Sequence, residues 1–245
     1  QSSGQPLGLN DGQTKTFLLD TGAASSSIAN DSHTENYPNL GESESKGASG
    51  IAKDCNLIQP NVMKFGRQEF QKPKLKRCDR NILGIDLIGH KTFQIDFLNK
   101  SLNYLKEFPN IGSSLPVRRL TPGHVIVPML VSGLKIDVLF DTGADATVVD
   151  SKFVEEHPEL FKLLRSEDGF DAHGNKIPSK VYVVNSVEIG QLRLTNVEMA
   201  AFDYGDFLRG KMEGAQMILG NNVISKAKWN FDLNSQKWFN LPYMD

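Results

Sequence analysis

Apolar and polar residues alternate along much of this chain, the two-residue period of strands with one buried face. The alternation is clearest in KVYVVNSVEIGQLRLTNVEMAAF, from Lys180, which passes through Ile189-Gly190-Gln191 and predicts a hairpin. WNFDLNSQKWFNL, from Trp229, repeats the pattern with a turn at LNSQ. Helix is expected only in short pieces, at Asp86–Lys91, at Asn222–Lys228 and around 151–165. The expected fold class is all-β.

The same word recurs at the end of two apolar runs: FLLDTGAASSSIA from Phe17 and VLFDTGADATVVD from Val138. One Asp-Thr-Gly-Ala could be ordinary turn punctuation. Here, however, other landmarks recur in the same order. A glycine, Gly12 or Gly133, precedes each aspartate at equal distance, and each reads as strand, turn, strand. Farther on, Gly50 and Gly66 are 16 apart, as are Gly174 and Gly190. ILG then stands at 82–84 and 218–220, with Gly84 and Gly220 each followed 12 residues later by an aspartate, Asp96 and Asp232. Such spacing indicates one unit written twice. The expected domains are 1–107 and 125–245, joined by a Pro-, Gly- and Ser-rich linker at 108–124. Seventeen linker residues reach about 55 Å when extended, ample for the two copies to pair within one chain. The second copy carries an extra stretch, FDYGDFLRGKMEGAQ (202–216), and a fuller lead-in strand.

Composition narrows the function classes. A net charge of −2 gives no electrostatic reason to propose nucleic acid or an anionic membrane as partner. The longest strongly apolar stretch, VIVPMLV (125–131), is too short to span a bilayer. No Cys/His cluster has metal-site spacing, and no metal or other cofactor is expected. The five histidines (33, 90, 124, 157 and 173) are scattered and read as surface or loop residues. KPKLKR (72–77) reads as a solvated face, and the polar run at 41–47 as a flexible approach to a hairpin tip. If the first-copy hairpin turns at Gly66-Arg67, Cys55 and Cys78 face each other across it. A disulfide and a pair of buried thiols both fit that placement.

The chemistry that needs two such loops is a carboxylate pair. Like charges at hydrogen-bonding distance cannot both ionise, so Asp20 and Asp141 would share one proton. One carboxylate then takes a proton from water while the other gives one to a carbonyl oxygen. Gly22 and Gly143 leave room for close approach or for positive φ. Thr21 and Thr142 carry hydroxyls able to bond to the opposite loop.

These loops, each followed by its ILG word, resemble the aspartic proteases of the pepsin–retropepsin superfamily. Ala144-Asp145-Ala146-Thr147-Val148 is similar to the retroviral type in particular. The resemblance implies a bilobed, pseudo-twofold fold of two retropepsin-like lobes, and an endopeptidase with Asp20 and Asp141 catalytic. Loop support would come from Thr21, Gly22, Ala23, Thr142, Gly143 and Ala144. It also implies hairpin flaps closing on an extended peptide, with tips at Ala48-Ser49-Gly50 and Ala172-His173-Gly174. His173 is then either a substrate contact or a solvated turn residue.

Asp145 matches a position that holds the substrate backbone, whereas its first-copy counterpart is Ala24, so the cleft halves should differ. Ala23 and Ala144 stand where pepsins have hydroxyl residues, which implies a mildly acidic optimum. The expected partner is a peptide or protein substrate, and the expected state a monomer. A catalytically silent peptide-binding module, and copies pairing between chains, are the alternatives. The chain begins at Gln1, so an N-terminal segment is expected to have been removed, with a secreted, periplasmic or acidic setting favoured.

Overall fold

The computed structural model describes residues 4–9, 12–109, 114–120 and 123–244. Part of the stretch read as a linker, 110–113 and 121–122, therefore lies outside the described residues, as does the chain start at 1–3. The fold is all-β and bilobed, built on three sheets.

In the first lobe, Gly4–Leu9 pairs antiparallel with Thr14–Leu19, whose end delivers Asp20. This first-copy lead-in strand, expected to be shorter than the second's, spans six residues against seven. Ile82–Leu83 then runs parallel to the Asp-bearing strand, Leu18 opposite Ile82 and Leu19 opposite Leu83. The second lobe repeats this arrangement. Val125–Val131 pairs with Leu134–Phe140, which delivers Asp141, and Met217–Leu219 runs parallel beside it. A hairpin projects from each lobe. In the first, Asn39–Lys46 pairs with Ala52–Ile58, leaving a tip at 47–51. In the second, Lys162–Phe170 pairs with Lys176–Ile189, leaving a tip at 171–175.

The third sheet draws strands from both halves of the chain. Ser101–Tyr104 and Phe93–Asp96 pair onto Ala227–Asp232, followed by Lys237–Pro242 and Leu115–Pro116. Large aromatics sit behind it. Phe93 stacks on Phe231 at 5.3 Å, Phe140 meets Trp229 and Phe231 at 4.9 Å, and Trp229 stacks on Trp238 at 5.7 Å. All five are fully buried, each removing roughly 150–250 Å² from water. The indole N–H groups are satisfied by backbone carbonyls, Trp229 by Ile224 and Trp238 by Pro116. Phe140 directly precedes Asp141, so this packing stiffens the strand that aims the aspartate.

Several elements depart from the alternation-based expectation. Around 151–165, helix covers only Ser151–Glu156, with a single 3-10 turn at Pro158–Leu160, and Lys162 onward is strand. Pro158 ends the helix, and the ladder to 176–183 takes over. The polar run at 41–47 is not a flexible approach, because residues up to Lys46 belong to a regular strand held by its partner. The extra stretch 202–216 forms a helix, Gly205–Met212. Cys55 and Cys78 form a disulfide, with Cα atoms 4.9 Å apart, continuing the register in which Asn56 faces Arg77. Among the described residues, no helix is long and apolar enough to cross a membrane.

Candidate active site

Each Asp-Thr-Gly-Ala loop follows a strand whose apolar residues are anchored in the core. Phe17 and Leu19 hold the first, and Val138 and Phe140 the second. The aspartate N–H groups donate to the parallel strand alongside, Asp20 to the Leu83 carbonyl at 3.0 Å and Asp141 to that of Leu219 at 3.1 Å. This pairing sets where each loop leaves its sheet.

The threonines then tie the two loops together. Thr21 Oγ1 donates to the Phe140 carbonyl at 2.8 Å and accepts from the Thr142 N–H at 3.0 Å. Thr142 Oγ1 donates to the Leu19 carbonyl at 2.8 Å and accepts from the Thr21 N–H at 3.0 Å. Both side chains are buried. These reciprocal bonds fix the separation of the loops, because each hydroxyl uses its donor and an acceptor across the junction.

The glycines place each loop against the opposite aspartate. A Cβ on Gly22 would stand 2.4 Å from Asp141 Cγ, and one on Gly143 2.5 Å from Asp20 Cγ. Neither glycine has a positive φ; their role is close approach alone. Ala23 donates its N–H to Asp20 Oδ1, and Gly143 its N–H to Asp141 Oδ1, both at 2.8 Å.

The two carboxyls are thus held side by side, each against the other loop's glycine. Burial, then the charge of Asp141 and the bond to it, push Asp20 well above the ordinary carboxylate range. Burial raises Asp141 as well, opposed by the Gly143 N–H, the bond from Asp20 and the nearby His124. A pair in this state titrates as a unit and holds one proton between its oxygens.

Behind each loop is a polar brace that sequence reasoning missed. Ser26 Oγ donates to Asp86 Oδ1 at 2.6 Å and accepts from the Gly84 N–H at 2.9 Å. In the second copy, Thr147 Oγ1 donates to Asn222 Oδ1 at 2.8 Å and accepts from the Gly220 N–H at 3.2 Å. The signal was present: a hydroxyl six residues after each aspartate, and Asp or Asn two after each ILG glycine.

His124 was also missed. Read as a surface or loop residue, it is instead buried against the Gly22 carbonyl and close to Asp141. Burial, aided by the charge of Lys211, holds its imidazole below the ordinary value.

The hairpin tips meet. Ser49 Oγ donates to Asp171 Oδ2, and Asn175 Nδ2 reaches Ser49 Oγ at 3.5 Å. Ala48 and Ala144 pack on one apolar cluster, placing the first tip beside the Asp141 loop. Gly50 approaches Phe207 of the extra helix. Ala172 and Gly174 are exposed at the second tip. His173 does not behave as a solvated turn residue. Its side chain is 11% exposed, with Nδ1 3.6 Å from Asp79 Oδ2 of the first lobe, because the second tip packs onto that lobe. Asp145 is exposed and lines a groove with Thr142, Asn221, Asn222 and Tyr243. Its counterpart Ala24 brings no carboxylate. No group of three or more His, Cys, Asp or Glu among the described residues is arranged to hold a metal ion.

Residues 127–223 match the family model described as "Aspartyl protease", a span that contains the second Asp-Thr-Gly-Ala loop and not the first. Among solved structures, the chain is similar to a retropepsin-like aspartic protease from Rickettsia conorii. Identity is 19%, the TM-score 0.34, and the alignment covers 47% of this chain and 89% of that one. No curated protein matches the sequence. The matched span lies in the half that carries Asp141, and the first half repeats its Asp-Thr-Gly-Ala loop at Asp20.

Proposed function

We propose that the chain is an aspartic endopeptidase with one active site, assembled from two fused retropepsin-like repeats acting as a monomer. The observation that carries this reading is the reciprocal packing of the two loops, each carboxyl lying against the glycine of the opposite loop and the two loops tied by Thr21 and Thr142.

In the resting site Asp20 holds the shared proton and Asp141 is the carboxylate. A peptide lies extended between the loops and the two hairpin tips, which act as flaps. Asp141 accepts a proton from a water molecule as that oxygen attacks the scissile carbonyl carbon. Asp20 donates its proton to the carbonyl oxygen, giving a neutral tetrahedral diol. Asp141 then passes its proton to the amide nitrogen, and Asp20 recovers one from a diol hydroxyl as the C–N bond breaks. The atoms balance: one water is consumed, one carboxyl and one amine are released, and the pair returns to one shared proton. The burial that raises both carboxyls keeps the donor protonated at pH values where an ordinary carboxyl would be ionised.

The test is cleavage of a diverse peptide library from about pH 3 to about pH 8 by the parent and by Asp20→Asn and Asp141→Asn. The reading predicts cutting by the parent and none by either variant. A folded parent that binds peptides and cuts none would instead be the silent module.

A further inference from the structure

We propose that one end of this cleft is a cationic subsite, formed by Lys211 of the extra helix with Lys46 and Lys76 of the first lobe, that selects an acidic side chain in the peptide. The proposal rests on the endopeptidase reading of the same cleft and names its substrate class.

The helix Gly205–Met212 has no counterpart in the first copy, so it makes the two ends of the cleft unlike. It is firmly held. Arg209 grips Asp150 with two bonds of 2.6 and 2.8 Å, and Tyr204 donates its hydroxyl to the Val148 carbonyl at 3.0 Å. Leu208 and Met212 bury their side chains in the apolar cluster that also receives Ala48 from the first tip and Ala144 beside Asp141. The helix therefore forms a wall running from the first flap to the Asp141 loop.

Its charged side chains gather at that wall. Lys211 Nζ stands 4.6 Å above the Phe207 ring and Lys46 Nζ 5.5 Å from it. A Cβ on Gly50 would be 3.2 Å from the same ring, so Phe207 fastens the two ammonium groups to the flap tip. Burial first, then the charges of Lys76 and Lys46, disfavour the protonated form of Lys211. The charge of Lys211 also reaches the buried His124, whose imidazole feels that of Asp141. The lysines thus adjoin the first hairpin tip and the wall that continues to the Asp141 loop.

Neighbouring carboxylates leave Lys211 unmatched. Glu44 is 3.5 Å from Lys46, and its backbone carbonyl accepts from Lys76 Nζ at 2.7 Å. Asp86 faces Lys76 but accepts from Ser26 Oγ, the Ser26 N–H and the Leu87 N–H. Glu213 faces His124. Among the described residues, Lys211 forms no ion pair. Lys211 therefore carries its charge beside two other ammonium groups with no ion pair of its own, and a peptide carboxylate placed against it supplies one with charge-assisted bonds. Neutral or basic side chains cannot.

The experiment uses peptides cut by the parent, remade as pairs with Glu or Gln at each position in turn. At one position, kcat/KM should favour Glu by about 10-fold, with the advantage shrinking at high salt. Lys211→Met should bring the pair close to parity, and Lys211→Glu should turn the preference toward Lys. Affinity of the same pairs for Asp141→Asn reads the charge preference without turnover. Equal values at every position, or a Glu preference unchanged in Lys211→Met, would overturn the subsite. Cleavage with no Glu preference leaves the endopeptidase standing and sinks the subsite. A Glu preference in binding with no cleavage by the parent does the reverse.

Discussion

Gly22 lies directly against the carboxyl of Asp141, so close that a Cβ would stand 2.4 Å from both Cγ and Oδ2. No real Cβ tolerates that distance, so Gly22→Ala must displace either the loop or the carboxyl. A shift near 1 Å at a reacting group costs on the order of 100-fold in rate. Gly22→Ala and Gly143→Ala are each expected to lower kcat/KM by at least that factor, with a stability cost of about 1–3 kcal/mol. Kinetics and thermal melting on the same preparations separate the two effects. Parental kinetics in either variant would show that the close approach does not matter.

The threonine exchange between loops predicts a stability effect. Thr21→Val keeps the shape but leaves the Phe140 carbonyl and the Thr142 N–H without their buried partner. Each orphaned group costs about 1–3 kcal/mol. With two groups orphaned, urea unfolding should show a loss of about 2–6 kcal/mol for Thr21→Val and for Thr142→Val, while Thr→Ser at either position should retain most of the stability. Equal losses for Ser and Val would place the effect in methyl packing instead.

Both carboxyls of the pair are raised, and the sign of the pH effect follows. Above the unfolded value of 3.8, the native pair holds protons that the unfolded chain has released, so its contribution to stability falls as pH rises. Asp20→Asn removes one acid of the pair, half-buried at the junction of the loops. Its melting temperature should exceed the parent's at about pH 7, and the gap should close by about pH 3, where both states are protonated. For activity, the proposed shared-proton form needs one carboxyl of the pair ionised and the other protonated, which places the optimum at mildly acidic pH. A maximum of kcat/KM below about pH 3 would contradict the raised values.

Reducing the Cys55–Cys78 disulfide opens a loop whose ends are 23 residues apart. Chain-entropy reasoning puts the cost at about 3 kcal/mol. The first lobe should melt earlier in reductant, and Cys55→Ala/Cys78→Ala should reproduce that shift without further sensitivity to reductant. An unchanged melting temperature would mean that the strand ladder alone holds these residues.

What was legible in the sequence was whatever repeats or alternates. The recurrence of Asp20 and Asp141 with their ILG partners exposed the paired loops, and Gly66-Arg67 set a register that continues to Cys55 and Cys78. Features that depend on distant partners were not legible. Asn39–Lys46 is polar on both faces, so its strand is stabilised by its ladder rather than by burial. The helix at 205–212 contains two glycines and only two buried side chains, and it is anchored through Arg209 to Asp150. His124 and His173 were scattered in sequence yet are placed against Asp141 and Asp79 by the lobe junction. Tertiary packing decided each of these.

The central claim is that one chain contains one complete carboxylate pair. It is tested most directly by assaying the parent, Asp20→Asn, Asp141→Asn and an equimolar mixture of the two variants on one cleaved peptide. The account predicts activity in the parent alone, with the mixture as inactive as its components. Activity recovered in the mixture would show that the loops pair between chains, and full activity in either single variant would show that the shared-proton pair is not the catalyst.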